Sequence, residues 1–270
     1  LTLNNAYIVN AAYLQLQYKF SIFKRINTGK NCLKTMQTKI PTPDCEHCKI
    51  RGKSLFHFCH LDETEYVNEN KTCAQYKKGQ TIFHENAYAY GLYCLNAGKV
   101  KLYKQASDGK EQILKIVTPG DFIGYGAMLS STTYAVSAEV IEDAVICFVP
   151  KEIILKLFRE NSRFSEGMVL LLTTTIDQTV EKMADIAYKP VRGRIAEALL
   201  LLSESYKDEK NLEGVVSITR EDLASYVGTV KETAIRVLKD LKDEGLISTN
   251  NHAITILDSK GLTRVCELYD

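Results

Sequence analysis

The sequence predicts an α+β chain with a β-rich front half, a helical rear half, and a small unit of two short helices and a hairpin near its C-terminal end. Three observations carry this. From Ala74 to Pro150, short β-prone runs alternate with glycine turns. Beyond Pro150 the apolar period changes from two to about 3.6. Further on, two helical patterns meet at Gly228 and a hairpin signal follows. With 270 residues, 45% of them apolar, the chain can fill cores in two modest domains.

The β-prone runs are Thr81–Phe83, Gly91–Leu95, Val100–Tyr103, Gln112–Val117 and Ala144–Val149. Turns are expected at Lys78-Gly79, Ala97-Gly98, Asp108-Gly109 and Pro119-Gly120-Asp121. Short strands at this spacing predict an antiparallel β-roll of the jelly-roll kind, of a size suited to a sensor domain.

After Asn161-Ser162, apolar residues recur at steps of three and four: Val169, Leu172, Ile176, Val180, Met183 and Ala187. This spacing predicts a helix of about 25 residues, ended at Tyr188-Lys189-Pro190 because proline pushes the preceding residue out of helical geometry. Its apolar seam is narrow. A narrow seam fits contact between two copies of the chain, hence a homodimer, and packing on its own β domain is the alternative. The domains expected are an N-terminal extension over 1–44, a cysteine-containing segment and sensor roll over 45–160, a dimerisation helix over 161–188 and a C-terminal unit over 189–270.

In that unit, Thr219 with Asp222 opens a first helix, and Thr229 with Glu232 is expected to form a capping box for a second. On the second, Ala234, Val237, Leu238 and Leu241 commit one face to a core, leaving Glu232, Ile235, Arg236 and Lys239 outside. Leu246–Thr249 and Ala253–Leu257 flank Asn250-Asn251, a two-residue hairpin turn. Helix, turn, helix and wing in this order predict a winged helix-turn-helix that enters the major groove of double-stranded DNA. Arg236 suits guanine, Glu232 a cytosine amino group and Ile235 a thymine methyl. Thr229, Lys231 and Lys239 are placed as phosphate contacts. The bland reading is a solvated face, with Arg236 paired to Glu232 or Asp240.

Charge qualifies this picture. Net charge is +1, yet Lys19, Lys24, Arg25, Lys30 and Lys34 stand in the first 35 residues without an acid, so the remainder carries a formal −4. DNA binding must then rest on local placement of charge. The chain begins at Leu1, and translation is expected to start at Met36, with residues 1–35 as upstream sequence or a disordered arm; a short amphipathic helix around Tyr13–Phe23 is the alternative. No apolar run is long enough to cross a bilayer and no secretory pattern is present, so a soluble cytoplasmic protein without membrane partners is expected. An enzyme is disfavoured, because no nucleophile–base pair, phosphate-binding glycine loop or His-Glu metal motif occurs.

These residues resemble the Crp/Fnr family of bacterial transcription regulators, closer to its Fnr-like branch. The resemblance spans Cys45 to about Leu262 and is carried by Tyr76-Lys77-Lys78-Gly79-Gln80, Gly91-Leu92-Tyr93, Gly98-Lys99-Val100, Pro119 to Gly124, Lys189 to Arg194, and the helix-turn-helix. It implies a cyclic-nucleotide-binding-like roll, a long dimerisation helix and a winged helix bound as a homodimer to a pseudo-palindromic site, with RNA polymerase as downstream partner. It also makes Glu232 and Arg236 the base-reading positions. Members that bind cyclic AMP carry a glutamate and an Arg-Ser pair in the stretch that corresponds to Gly124–Ala138, and neither is present here. A buried phosphodiester would lack its charge partner, so cyclic AMP is not the expected effector.

Eight cysteines without a secretory context point to metal or thiol chemistry. Cys45-Glu46-His47-Cys48 is a Cys-x2-Cys pair. The resemblance implies a [4Fe–4S] cluster on Cys45, Cys48, Cys59 and Cys147, with Cys73 as alternate to Cys59, since Cys59 lies farther from Cys48 than oxygen-sensing members place their third ligand. Zinc on Cys45 and Cys48 with two of His47, His57, Cys59 or His60 is a second option. The third is a plain thiol pair, with Cys94 and Cys147 as small buried hydrophobes. Cys32 and Cys266 look incidental. The function expected is a regulator whose roll answers redox state, oxygen or a small effector; the alternative is a ligand- or metal-binding module whose winged helix contacts protein.

Overall fold

The computed structural model describes residues 43–207, 211 and 213–267. The expectations placed on Met36, on the helix around Tyr13–Phe23 and on Cys32 lie outside those residues.

Ahead of the roll come two single turns of 3-10 helix, Arg51–Lys53 and Leu55–Phe58. Leu55 and Phe56 are buried, and the Phe56 ring meets Phe122 edge-on and stacks near Phe164. Helix α1 (Leu61–Asn70) follows, with the Glu63 carboxylate accepting the His60 backbone N–H at 2.8 Å. That bond satisfies one of the donors every helix start leaves open.

Six strands form the roll: β1 (Thr72–Tyr76), β2 (Thr81–Phe83), β3 (Gly91–Gln105), β4 (Glu111–Val117), β5 (Phe122–Ile123) and β6 (Ser137–Pro150), with helix α2 (Tyr125–Ser130) before β6. The path is β1-β6-β3-β4, with β2 also on β6 and β5 on β3, and every pairing is antiparallel.

One expected turn is corrected. β3 runs unbroken through Ala97-Gly98, and its register against β6 slips between Leu95 and Val100. Gly98 has φ of +86°, and a Cβ there would lie 2.3 Å from the Asp143 carbonyl oxygen. A left-handed residue pressed against the neighbouring strand bends a strand as a bulge instead of reversing it. At the other expected turns, Gly79, Gly109 and Gly120 do hold positive φ.

Helices α3 (Lys151–Glu160) and α4 (Ser162–Tyr188) meet at buried Asn161. Its Oδ1 accepts the Phe164 N–H at 2.9 Å, while its Nδ2 donates to Phe58 O at 3.0 Å and Glu63 at 2.7 Å. One side chain thereby caps α4 and ties it to the leading segment. The first turns of α4 bury Phe164, Gly167 and Met168 against the roll. Farther along, the helix still touches the roll through Thr175, 2.8 Å from the Tyr125 hydroxyl, while its other side stays exposed.

The C-terminal domain comprises α5 (Val191–Tyr206), β7 (Val216–Ser217), α6 (Arg220–Val227), α7 (Lys231–Asp243), β8 (Ile247–Asn250), β9 (Ala253–Ile256) and α8 (Ser259–Glu267). The hairpin pairs Asn250 with Ala253, so its turn is Asn251-His252, one residue later than expected. Asn251 takes φ of +51°, which asparagine tolerates better than most residues. β7 adds a third strand, in the order β7-β9-β8, which the two-stranded expectation missed. The apolar core of this domain, with Leu199, Leu223, Leu238 and Ile254, is continuous with Tyr103, Ile113 and Ile116 of the roll.

Candidate nucleic-acid interface

Thr219 caps α6 as expected, its hydroxyl accepting the Asp222 N–H at 2.9 Å. The helix ends at Gly228, whose φ of +71° produces the sharp turn into α7. The expected capping box on α7 is not formed. Its N-cap is Val230, without a side-chain bond, so Thr229 stands one residue too early to pair with Glu232. The Thr229 N–H instead bonds Ala224 O at 2.9 Å, closing the turn. Glu232 is thereby released from a capping role.

On α7 the division of faces is as the periodicity predicts. Ala234, Val237, Leu238 and Leu241 are buried, while Lys231, Glu232, Ile235, Arg236 and Lys239 are exposed. Among the described residues Arg236 makes no ion pair with Glu232 or Asp240, which leaves its guanidinium fork open. Lys231 lies 3.5 Å from Glu221 on α6, an exposed and weak pair. Thr229 is half-buried at the turn. The wing tip is held by Arg220, which donates to Asn251 O at 3.1 Å; this anchor was not foreseen.

The roll fixes where α6 and α7 sit. Lys101 on β3 is buried, with its Nζ 2.7 Å from Glu111, 3.3 Å from Asp222 on α6 and 3.5 Å from Glu139. Burial alone would lower its pKa, but the bond to Glu111 and the charges of Asp222 and Glu139 outweigh it and hold the ammonium charged. Gln112 on β4 donates to Ser225 O at 2.7 Å. Lys182 on α4 sits 3.6 Å over the Tyr226 ring and donates to the Ile113 and Leu114 carbonyls, each at 3.1 Å. Burial lowers its pKa to about 8.

The proposed seam is open along α4. Val169, Ile176, Val180, Met183 and Ala187 are exposed and Leu172 is half-buried. Such a run of apolar side chains in water calls for a covering surface.

Two family models match. One describes a cyclic nucleotide-binding domain over residues 73–161, the other a Crp-like helix-turn-helix domain over residues 193–265, and together they span more than half the chain. The chain belongs to the Crp/Fnr family. It is 27% identical over 191 residues to a CRP-like cAMP-activated global transcriptional regulator of Mycobacterium tuberculosis, covering 70% of this chain and 85% of that protein. It is also 27% identical over 223 residues to an anaerobic regulatory protein of Haemophilus influenzae, covering 81% and 86%. Its fold is shared with FixK2 from Bradyrhizobium japonicum, at 23% identity and a TM-score of 0.66, over 72% of this chain and 96% of that one. The chain is thus a DNA-binding transcription regulator of the Crp/Fnr type, and its relatives are regulators, not enzymes.

In this Crp/Fnr roll the stretch from Gly124 to Ala138 is lined by aromatic rings. Tyr134 stacks on Phe83 with centroids 3.8 Å apart, and Phe83 lies 5.7 Å from Tyr93. Lys104 is engaged with Glu85 at 2.8 Å.

The cysteines are arranged differently from the implied ligand set. Cys59 does not line the cavity that Cys45, Cys48 and Cys147 share; it lines a separate groove with His57, His60, Arg163 and Glu166. The mixed zinc set is separated for the same reason, and exposed His47 is bonded through Nδ1 to Asp44 at 2.6 Å. Burial pushes the Cys59 thiol up to about 12. Cys73 is disulfide-bonded to Cys147, so neither can serve as a thiolate ligand in that state. Cys94, set aside from the sequence as a buried hydrophobe, lines the shared cavity. Cys266 is buried beside Gly193 in the C-terminal domain. Cys45, Cys48, Cys94 and Cys147 thus line one cavity, and Cys59 lies outside its lining but in the same apolar cluster as Cys94 and Cys147. Two donors already address these sulfurs: Lys71 Nζ lies 2.9 Å from Cys45 Sγ and Asn96 Nδ2 lies 3.2 Å from Cys48 Sγ. Hydrogen bonds to sulfur are what thiolate ligands of iron need.

Proposed function

We propose that this regulator acts in the cytoplasm as a homodimer on a pseudo-palindromic DNA site, with RNA polymerase as its downstream partner. The observation that carries this reading is the coexistence of the open α4 stripe with an outward α7 face bearing Glu232, Ile235 and Arg236. A two-fold axis along α4 presents α7 twice, which matches a site with two-fold symmetry. Arg236 and Glu232 read base edges, and Thr229, Lys231 and Lys239 set register on phosphates.

The signal we propose is redox state or oxygen. The convergence of Cys45, Cys48 and Cys147 supports it, as does the absence of an acid and an arginine from Gly124–Ala138, where a cyclic nucleotide would need them. A [4Fe–4S] cluster, when bound, supplies electron transfer and sensitivity to oxygen.

Selection from a random duplex library, followed by titration at fixed salt, tests the DNA reading. Arg236→Ala should weaken the selected site by about 1–3 kcal/mol and relax preference at one base position. Lys239→Ala should weaken all sequences alike and lower the salt dependence. Failure to select any sequence, from either oxygen-free or aerated protein, would overturn the proposal. Selected DNA bound equally well by Arg236→Ala and Glu232→Ala would move the winged helix toward protein contacts, a reading the low net charge favours.

A further inference from the structure

The roll brings five cysteines from four separate stretches of chain to one place. Cys73 on β1, Cys147 on β6 and Cys94 on β3 are direct register partners across three neighbouring strands. Residues opposite one another in a sheet point to the same face. Against that face lies the segment with Cys45 and Cys48, and a cavity of about 30 Å³ is lined by Cys45, Cys48, Cys94 and Cys147 together with Lys71, Asn96 and apolar Phe56 and Val149.

We infer that Cys45, Cys48, Cys94 and Cys147 are the four ligands of one thiolate-bound metal centre, and that Cys73 competes with it for Cys147. The inference rests on the redox reading above and names the residues of that site. Cys94 takes the place of Cys59 because it lines the cavity and is the register partner of Cys147, whereas Cys59, buried in the same apolar cluster, lines a different groove. Lys71 and Asn96 form the outer shell, placing a cation and an amide donor on the sulfurs of Cys45 and Cys48.

A single zinc with bonds of about 2.3 Å in a tetrahedron draws its sulfurs to about 3.8 Å. A cluster spreads its thiolates over a wider cage, so the iron, sulfide and zinc content of the loaded protein distinguishes the two.

Cys147 has two mutually exclusive fates. As a ligand it is a thiolate on the centre. In the structure it is joined to Cys73. Conversion of the free thiols to that bond releases two electrons and two protons, which a peroxide accepts. One thiolate attacks a peroxide oxygen and becomes a sulfenic acid as the first water leaves; the second thiolate attacks that sulfur, forming the S–S bond and expelling the second water. The bond then blocks reloading until a thiol reductant reopens it.

The test uses the full chain, produced and handled without oxygen, with iron, acid-labile sulfide and zinc measured per chain. Cys45→Ser, Cys48→Ser, Cys94→Ser and Cys147→Ser should each cut bound metal at least tenfold, while Cys59→Ser and Cys73→Ser should retain it. Retention by Cys94→Ser, or loss in Cys59→Ser, overturns the ligand set. Wild type guards against misfolded variants. Its peroxide-treated, alkylated peptides should show Cys73–Cys147 appearing in step with metal loss, and Cys73→Ser should reload fully without reductant. A Cys73–Cys147 bond in fully loaded protein overturns the competition. Zinc bound by the same four residues keeps the ligand set and overturns the iron reading, so the two fail separately.

Discussion

Lys101→Met removes the one cation from a group of three carboxylates at the junction of roll and DNA domain. The Lys101 side chain is 8% exposed, and its Nζ reaches Glu111, Asp222 and Glu139 within 3.5 Å. Methionine fills a similar volume, so the loss is chiefly of charge, with Asp222 and Glu111 left half-desolvated. Removing one partner of such a buried set costs about 3–5 kcal/mol, a large part of the roughly 5–15 kcal/mol available to a domain. Because the Lys101 pKa is raised, its contribution is complete at neutral pH and is lost only as pH climbs beyond the ordinary lysine range. Urea unfolding of Lys101→Met, Asp222→Asn and the double variant isolates the interdomain term. Contact at 3.3 Å across the junction predicts a coupling of about 1–2 kcal/mol. Additive effects, with coupling below about 0.5 kcal/mol, would refute the claim that this pair fastens α6 to β3.

Other outcomes follow from the same geometry. In the proposed dimer, Val180→Asp places a carboxylate on the α4 stripe next to its symmetry copy. Val180 is 61% exposed, so the monomer should stay folded while the dimer weakens on the order of 100-fold by sedimentation equilibrium; an unchanged association constant would remove α4 from the interface. Lys182, whose pKa burial lowers to about 8, is charged at a cost below that pH in the folded state. Stability should therefore rise between about pH 8 and pH 10, where only the unfolded chain still holds the proton, and the rise should shrink in Lys182→Met. Gly228→Ala forces a side chain into a left-handed site, with Arg194, Gln112 and Ile186 atoms 3.3–3.5 Å from the new Cβ. A loss of about 1–2 kcal/mol in thermal unfolding is expected, and no loss would mean that the turn relaxes freely.

What could be read from the sequence was what local periodicity encodes. The apolar step of α4, the buried face of α7 and the Thr219 cap each depend on residues within a turn or two of one another. Errors of one residue arose where a local motif had two possible frames: Thr229 against Val230 as N-cap, and Asn250-Asn251 against Asn251-His252 as turn. Gly98 was misjudged because a bulge and a turn ask the same of a glycine, and only the neighbouring strand distinguishes them. Cys94 was invisible as a site residue because its neighbours come from register. Nothing in spacing reveals that residue 94 faces residue 147, although aromatic Tyr93 and Phe148 beside them, 5.0 Å apart, repeat the same pairing. Lys101 likewise looked like one more strand lysine until the fold placed Asp222 over it.

The distribution of cations explains how a chain with so little net charge can serve DNA. Lys99, stacked 4.0 Å from Tyr206, together with Lys101 and Lys182, holds the roll against the C-terminal domain, so none of the three is available to a phosphate. Lys231, Arg236 and Lys239 remain in water on one helix. The same strands that carry the internal cations also carry the thiols: β3 holds Cys94 and Lys101, and β6 holds Cys147 and Glu139. Between them β3 bends at Gly98, where its register against β6 slips. A bulge concentrates the freedom of a strand pair at one point, so a change of partner at Cys147 has its nearest yielding element there. Beyond it stands Lys101, holding the first turn of α6. Coupling along this route requires two discrete states of the bulge that both ends bias. If they exist, amide exchange of residues 96–100 must differ between metal-loaded and disulfide-bonded protein, and Lys101→Met must abolish the accompanying change in DNA affinity while leaving the exchange difference in place.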